Sequence, residues 1–294
     1  MTNILGRIRQ HPVPTEAIGD SGVHYDTPPR MFELLLDRNM NYSSGVYARG
    51  DEDLDGAQIA KMDKVAAWLD LKPGARLLDV GCGWFGPALY LAERYGVRVT
   101  GVTLSPVQRE YGLAWAERRG LRDAVHIDVC SVLSMPYPAE SFDATMFLES
   151  IIHMPPKRQI FERCCALLRP GGRIFVQESD YDRDSKREKY LGDRGNREVD
   201  QAFGYTMDMV SAGRMQLEME EAGLVPYGLE NISRDYVLTL TQWLVNLDAH
   251  ADEMRALSER AYLMLRRYLM IALATYRSGH TVCHMITAEK SGNL

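Results

Sequence analysis

The stretch that decides the fold is LLDVGCGWFG, residues 77–86. An apolar run containing Asp79 leads into glycines at the spacing G-x-G-x-x-G, and PALYLAERYG (87–96) follows with the apolar spacing of a helix. The glycines are Gly81, Gly83 and Gly86. A strand, a glycine turn and a helix in this order present free backbone N–H groups where a ligand can approach the chain closely.

Strand-like and helix-like segments alternate along the rest of the chain. The strand-like segments are 75–81, 97–104, 124–129, 142–150, 173–180 and 280–290, and the helix-like ones are 57–71, 87–96, 105–120 and 157–172. Ser105 before Pro106 is typical of a helix N-cap. The alternation predicts an α/β fold in which helices cover both faces of a parallel sheet and ligands bind at the carboxyl ends of the strands. The polar segment 181–222 and the amphipathic segment 239–279 are predicted to form a helical lid.

Composition and charge exclude several classes of protein. The chain has 294 residues, 46% of them hydrophobic and 25% charged, and a net charge of −6. A mildly acidic chain is a poor nucleic-acid binder, and no apolar run approaches the roughly 20 residues of a membrane span. The N-terminus lacks the apolar centre of a signal peptide, and the five cysteines show no CxxC spacing. We therefore expect a cytoplasmic protein with reduced thiols that is not an integral membrane protein.

Asp79 indicates the chemistry of the glycine turn. The glycine spacing alone is shared with dinucleotide-binding enzymes, which use the free N–H groups for a pyrophosphate. A nucleoside that carries an amino acid has no phosphate but has an ammonium group, and an acid in the loop can pair with that group. The carboxyl of Asp79, two residues before Gly81, favours a ligand of the second kind.

The D-V-G-C-G-x-x-G form resembles motif I of the class I S-adenosylmethionine (SAM) methyltransferases. HIDVCSVLSMPYPAESFD (126–143) is similar to the segment of that superfamily in which an acid, here Asp128, meets the adenine amino group. LLRPGGRIFV (167–176) resembles its turn into strand five. This resemblance implies a Rossmann-like, mostly parallel seven-stranded sheet, with SAM as cofactor and S-adenosylhomocysteine as product.

A closer resemblance is to the cyclopropane fatty acid synthase-like branch, and it covers nearly the whole chain. It is strong over 24–108, and 239–250 with 268–279 are similar to the C-terminal helices of that branch. It implies an N-terminal helical cap over residues 1–60 and a core over 61–294. The cofactor-binding residues predicted from the motifs and the resemblance are Tyr42, Ser43, Asp79, Gly81, Cys82, Gly83, Thr103, Leu104, Gln108, Asp128 and Val129.

Two departures from the cyclopropane synthases bear on the reaction. Those enzymes carry a Cys where this chain has Ser44, and a Glu that helps hold a bicarbonate base where this chain has Ile152. Instead, LESIIHMP (148–155) resembles segments of small-molecule methyltransferases from natural-product pathways and of isoprenyl diphosphate C-methyltransferases. Both relatives place an acid at Glu149.

Transfer of a methyl group needs alignment of a nucleophile and exclusion of water. An oxygen or nitrogen nucleophile also benefits from a general base, whereas methylation of an alkene or indole carbon leaves a cation that aromatic faces stabilise. The predicted catalytic residues are Glu149, His153, Tyr25 and Tyr268, with the neutral imidazole of His153 as a second candidate base near pH 7. Further aromatic residues of the cap are Phe32, Tyr42 and Tyr47.

These observations favour a SAM-dependent methyltransferase of secondary metabolism that methylates carbon in a small alkene or electron-rich ring. The alternatives are O- or N-methylation of a natural product, a cyclopropane fatty acid synthase, and a SAM-fold protein that catalyses a cyclisation without methyl transfer. Magnesium is expected only if the acceptor is a diphosphate, for which the mixed-charge stretch 181–198 could supply arginines; otherwise that stretch reads as a solvated lid helix. No other metal site is predicted, and a homodimer is possible.

Overall fold

The computed structural model describes residues 27–154, 156–186 and 208–292. Its core is a seven-stranded sheet of order β3-β2-β1-β4-β5-β7-β6. The strands are β1 (Arg76–Val80), β2 (Arg98–Thr103), β3 (Val125–Val129), β4 (Phe142–Leu148), β5 (Leu168–Asp180), β6 (Leu224–Asn231) and β7 (Val282–Lys290). β7 runs antiparallel to both of its neighbours and the other pairings are parallel, which confirms the mostly parallel Rossmann-like sheet.

Eight α-helices accompany the sheet within the described ranges. They are α1 (Pro29–Leu35), α2 (Leu54–Trp68), α3 (Gly86–Tyr95), α4 (Pro106–Arg118), α5 (Lys157–Leu167), α6 (Ala212–Glu221), α7 (Ser233–Ala249) and α8 (Ala251–Arg277). The predicted N-cap is present, because Ser105 Oγ accepts a hydrogen bond from the Gln108 N–H at 3.2 Å. α2 continues without a break across residues 60 and 61, the predicted boundary between the N-terminal cap and the core.

Alternation along the strands places apolar side chains on both faces of the sheet. Leu77 belongs to a buried cluster that also contains Phe175 and extends to residues of α7 and α8, whereas the adjacent Leu78 belongs to a second cluster on the opposite face. Both leucines are fully buried. The helices therefore cover both faces, and the carboxyl ends of β1, β2, β4 and β5 remain the edge on which a ligand site is assembled.

The turn between β1 and α3 depends on the absence of a side chain at Gly86. A Cβ atom at this position would lie 1.5 Å from the carbonyl oxygen of Asn39, so the first turn of α3 packs directly against the backbone that follows α1. Earlier in the same turn, the N–H groups of Gly81 and Cys82 donate to the Val102 carbonyl at 2.9 and 3.0 Å. These contacts fix the turn between the ends of β1 and β2.

Several predicted boundaries were wrong. The helix expected over 157–172 ends at Leu167, because the R-P-G-G turn that follows it is already part of β5. The amphipathic segment 239–279 forms two helices, with a break at His250 and a further kink at Ser258 in α8. Of the polar segment 181–222, residues 187–207 lie outside the described ranges, and α6 is the α-helix within the rest.

β6 is a strand at the edge of the sheet that the residue pattern did not predict. Pro226 and Gly228 interrupt its sequence, and its register against β7 shifts between these two residues. Proline and glycine are unfavourable inside a strand and are tolerated at edges and bulges, which explains why the pattern hides this element. Within the described ranges, no helix is both long and apolar enough to cross a membrane.

Candidate active site

The glycine turn forms a cradle at the carboxyl end of β1. Gly81 has φ +77°, and a Cβ atom there would lie 2.5 Å from the Cβ of Ser150. Ser150 follows β4, and its Oγ donates to the Val80 carbonyl at 2.5 Å, which ties the ends of β1 and β4 together. Gly83 also has positive φ (+51°), and a Cβ atom there would meet nothing within 4 Å. The turn therefore offers backbone on its open side and is closed on the side of Ser150.

Asp79 lies next to this turn with a buried carboxyl, 2% exposed as a residue. Burial raises its pKa to about 7, and the positive charge of Lys61 opposes that rise. Among the described residues, no hydrogen-bond donor is found on its carboxylate. A buried acid without such a donor among the described residues fits the ammonium group of a bound amino-acid nucleoside, the role that the sequence predicts for Asp79.

The predicted residues after β2 and β3 form the next part of the site. Thr103 Oγ1 donates to Gln108 Oε1 at 2.7 Å, so these two side chains hold each other. Leu104 and Val129 extend from adjacent strand ends and are 51% and 44% exposed. Two exposed apolar side chains at the ends of neighbouring strands suit the flat faces of an adenine ring.

Asp128, predicted to meet the adenine amino group, already has partners within the chain. Its Oδ1 lies 2.9 Å from His126 Nε2, and its Oδ2 accepts a hydrogen bond from the Tyr137 hydroxyl. Partial burial raises the pKa of the Asp128 carboxyl, but the hydrogen bonds from Tyr137 and His126 outweigh this effect and lower it. The carboxylate is thus ionised at neutral pH, and an adenine amino group would share it with these donors.

The remaining predicted cofactor residues lie around the inner end of the turn. Cys82 and Ser43 are buried, and Ser43 Oγ accepts a hydrogen bond from Lys61 Nζ at 2.7 Å. The ring of Tyr42 lies between those of Phe32 and Trp243, with centroid distances of 5.4 and 5.3 Å. The segment around Ser43 therefore lies beside the glycine turn and is held by aromatic packing and by α2.

Glu149 follows β4 directly, and its carboxylate is held by three donors from distant parts of the chain. Oε1 accepts hydrogen bonds from the Ser44 N–H and from Gln177 Nε2, both at 2.8 Å, and Oε2 accepts one from the Tyr236 hydroxyl. Its backbone has φ +55°, a conformation that costs energy for a residue with a side chain. The fixed carboxylate and the strained backbone mark Glu149 as the focus of the site.

Burial raises the pKa of the Glu149 carboxyl above its ordinary value, although hydrogen bonds from Tyr236, Ser44 and Gln177 and the charge of Lys61 oppose the rise. Tyr268 lies close enough for Glu149 to raise its pKa further, after the larger effect of burial, and it shares a hydrogen bond with Tyr236. Glu149 is therefore a stronger base than a glutamate in water, set among phenols that remain protonated.

His153 is buried, and its pKa lies below that of an ordinary imidazole. Burial and the nearby positive charge of Lys157 lower this pKa to about 4. The imidazole is therefore neutral at pH 7, and its low pKa makes it a weak proton acceptor.

Two further predictions fall wholly or partly outside the described ranges. Tyr25 lies before residue 27, and most of the mixed-charge stretch 181–198 lies beyond residue 186. Of the cations in the described part of that stretch, Arg183 and Lys186 both pair with Asp182, at 3.0 and 2.9 Å. Within the described ranges, no cluster of three or more possible metal ligands occurs.

Sequence reasoning missed four residues that shape the site. Gln177 and Tyr236 donate hydrogen bonds to Glu149, and Lys61 is fully buried behind Ser43. Glu178 is buried beside Glu149, and its carboxylate oxygens accept hydrogen bonds from the N–H groups of Ile152 and Ser179. For Lys61 and Gln177 a signal existed, since each is a polar residue in an apolar pattern: Lys61 on the buried face of α2, Gln177 within the strand RIFVQ.

Comparison with known proteins agrees with this geometry. The family model described as mycolic acid cyclopropane synthetase matches residues 14–286. The chain is 30% identical to the 27-O-demethylrifamycin SV methyltransferase of Amycolatopsis mediterranei over 230 residues, 76% of this chain and 78% of that one. It is 28% identical to a probable fatty acid methyltransferase of Pseudomonas putida over 285 residues, 96% of this chain and 71% of that one.

The fold has a close counterpart among solved structures. The cyclopropane synthase MmaA2 from Mycobacterium tuberculosis superposes with a TM-score of 0.86 at 23% identity, over 95% of this chain and 100% of that chain. The two proteins thus share one overall fold.

Proposed function

The chain belongs to the mycolic acid cyclopropane synthetase family and is a SAM-dependent methyltransferase, and we propose that it methylates a carbon atom of a small natural product. The acceptor class that the site favours is an alkene or an electron-rich ring, such as an isoprenyl chain or an indole. The observation that carries this proposal is the Glu149 carboxylate, fixed by three donors among tyrosine side chains.

Glu149 is suited to end a carbon methylation. Addition of a methyl group to a double bond leaves a carbocation, and loss of a neighbouring proton restores the double bond. A carboxylate whose pKa is raised by burial accepts that proton more readily than one in water. The donors on both of its oxygens hold the carboxylate in one orientation, which a base needs in order to act on a single proton.

Aromatic rings near Glu149 support the same reaction class. The Tyr236 ring centroid lies 4.4 Å from that of Tyr276 and 6.2 Å from that of Trp243, and Trp243 continues to Tyr42 at 5.3 Å. The electron-rich faces of such rings stabilise a cation without offering it a nucleophile that would trap it. O- or N-methylation needs a base but no such enclosure.

Cyclopropanation of lipids is less well supported. By the resemblance, the synthases carry a Cys at position 44 and, at position 152, a Glu that helps hold a bicarbonate base. Here Ser44 gives its N–H to Glu149, and Ile152 gives its N–H to Glu178. Neither side chain supplies the Cys or Glu of the synthases. In this chain the carboxylate that receives the proton is therefore a side chain of the protein itself.

The described residues fit SAM through the three features of the glycine turn and its surroundings. Asp79 would pair with its ammonium group, the open side of the Gly81 turn would take its methionine part, and Leu104 with Val129 would flank its adenine. When bound, SAM supplies an electrophilic methyl group. The chain then has to orient the acceptor, exclude water and accept a proton at Glu149.

The pKa of Asp79 predicts how SAM binding depends on pH. The carboxyl titrates at about 7 in the free protein, and the ammonium group of SAM pairs only with its ionised form. Between pH 7.5 and pH 6 the ionised fraction falls, so we expect the dissociation constant of SAM to rise about five- to tenfold. Calorimetric titration at both pH values measures this. A dissociation constant that stays unchanged would show that Asp79 does not meet the ammonium group.

The acceptor class is tested by incubating the enzyme with methyl-labelled SAM and three sets of acceptors. These are isoprenyl diphosphates with and without magnesium, indoles together with phenols, and unsaturated phospholipids. We expect label on a carbon of an indole or an isoprenyl chain. Label on a phenol oxygen would replace the proposal by O-methylation, label in phospholipid by cyclopropanation, and a converted but unlabelled product by cyclisation. No label in any acceptor would refute the acceptor classes proposed.

A further inference from the structure

α2 carries two polar residues on a buried face that is otherwise apolar. Gln58 and Lys61 are both fully buried. The other buried residues of that face are Leu54, Ala57, Met62, Val65 and Ala66. Gln58 Nε2 donates to the Ser43 carbonyl and Lys61 Nζ to Ser43 Oγ, both at 2.7 Å. Two side chains one helical turn apart thus hold the same residue.

Ser43 belongs to a segment, residues 42–46, that passes between α2 and the site. A Cβ atom on Gly45 would lie 2.9 Å from the Cβ of Ala57, so the segment lies directly on α2. The next residue after Ser43 is Ser44, whose N–H holds Glu149 and whose carbonyl accepts from Gln177 Nε2 at 3.0 Å. A shift of Ser43 would therefore move one of the donors that fix the Glu149 carboxylate.

The site has a cofactor half, with Asp79, and an acceptor half, with Glu149. Lys61 is also the buried positive charge that faces both of these acids. Burial lowers its pKa to about 8, and the charges that oppose this come from Asp37, Glu149, Cys283 and Asp79, in that order. Among the described residues, Cys82 faces Asp79, and the ionisable groups that face Glu149 besides Lys61 are Tyr42, Tyr236, Tyr268, Tyr276, Glu178 and Cys283. Within these sets Lys61 is the one cation, so its charge favours the ionised form of each carboxylate.

We propose that Lys61 is the positioning residue that links the two halves of the site. Its ammonium group holds the side chain of Ser43, next to the Ser44 N–H that holds Glu149, and its charge favours the ionised forms of Asp79 for the cofactor and of Glu149 for the acceptor's proton. The inference rests on the proposed roles of Asp79 and Glu149. It does not depend on the identity of the acceptor, because the test measures only the affinity for SAM.

The test replaces Lys61 by Met, which keeps most of the side-chain volume and removes the charge. SAM affinity of Lys61→Met and of the wild type is measured by calorimetry from pH 6 to pH 9. We expect the variant to bind SAM about tenfold more weakly than the wild type at pH 7 and less than twofold more weakly at pH 9, where Asp79 is ionised in both proteins. A ratio that is the same at every pH would overturn the proposal, because a merely structural lysine weakens binding without moving its pH dependence.

Two further variants separate charge from packing. Lys61→Arg keeps the charge, and its affinity ratio to the wild type should not change with pH. Lys64 lies one turn further along α2 and pairs with Glu230 at 2.5 Å. The variant Lys64→Met should bind SAM like the wild type. A pH-dependent ratio in either variant would contradict the assignment to Lys61.

Loss of folding in Lys61→Met and failure of the proposed role of Asp79 each give a result that differs from failure of the Lys61 proposal. If Lys61→Met shows no cooperative melting, the double variant Lys61→Met with Asp37→Asn also removes the buried acid whose charge acts most strongly on Lys61, and the same pH-dependent ratio is expected. A constant ratio in the double variant would overturn the proposal. If the wild type itself shows no change in SAM affinity between pH 6 and pH 7.5, the role of Asp79 fails, and the proposal for Lys61 as linking residue fails with it.

Discussion

Glu149→Gln is expected to lower the turnover number about 10²-fold or more, the range in which a general base contributes. Glutamine keeps the size of the side chain, and its carbonyl oxygen can accept from the Ser44 N–H and Gln177 as Oε1 does now. Its amide nitrogen can face the Tyr236 hydroxyl, which turns to accept. The geometry is thus preserved while the ability to take a proton is lost.

The controls for this variant are SAM affinity and a matched glutamate. SAM affinity of Glu149→Gln should stay within about twofold of the wild type, because the ammonium group pairs with Asp79. Glu140 also has positive φ but lies on the surface, so Glu140→Gln should leave turnover unchanged. If Glu149→Gln keeps its turnover and instead loses SAM affinity, Glu149 binds the cofactor and is not the base.

Gly81→Arg is expected to lower SAM affinity by a factor of about 100 or more, which is about 2.7 kcal/mol. The φ of +77° disfavours any side chain, and the Cβ atom would collide with Ser150 at 2.5 Å. The turn would have to move, and the arginine side chain would enter the region where the backbone should meet the ligand.

Gly120→Arg is the matched control for this prediction. Gly120 has a similar φ of +67°, but a Cβ atom there would meet nothing within 4 Å. This variant should lose about 1–2 kcal/mol of unfolding free energy through backbone strain and keep its SAM affinity. Calorimetric titration and thermal melting of both variants measure the difference. Wild-type SAM affinity in Gly81→Arg would place the cofactor elsewhere.

The parts of the site that follow one another in sequence were predictable. The strand, glycine turn and helix from residue 77 onward carry their own signals, because glycine spacing and apolar periodicity are local properties. Asp79 was singled out because it stands at a strand end within such a pattern, and Glu149 because the segment after β4 resembles segments of small-molecule methyltransferases. β6 was not predicted, because Pro226 and Gly228 interrupt its strand pattern. Its formation depends instead on pairing with β7, which no local pattern shows.

The contacts that give these residues their chemistry were not predictable, because they join distant parts of the chain. Ser44 and Tyr236 lie 105 and 87 residues from Glu149, and no local pattern relates them. The low pKa of His153 likewise depends chiefly on its burial, which no local pattern shows. Packing in three dimensions therefore determines which of two candidate bases is the stronger.

The central claim, that this methyltransferase places the methyl group on carbon, is tested most directly by the connectivity of the product. The acceptor that takes up label is methylated with SAM carrying ¹³C in its methyl group, and the product is examined by NMR for correlations between the new methyl group and its neighbours. We expect the labelled methyl group to be bonded to a carbon of the former double bond or ring, and this product to form about 10²-fold more slowly or slower still with Glu149→Gln. A labelled methyl group bonded to oxygen or nitrogen would contradict the claim.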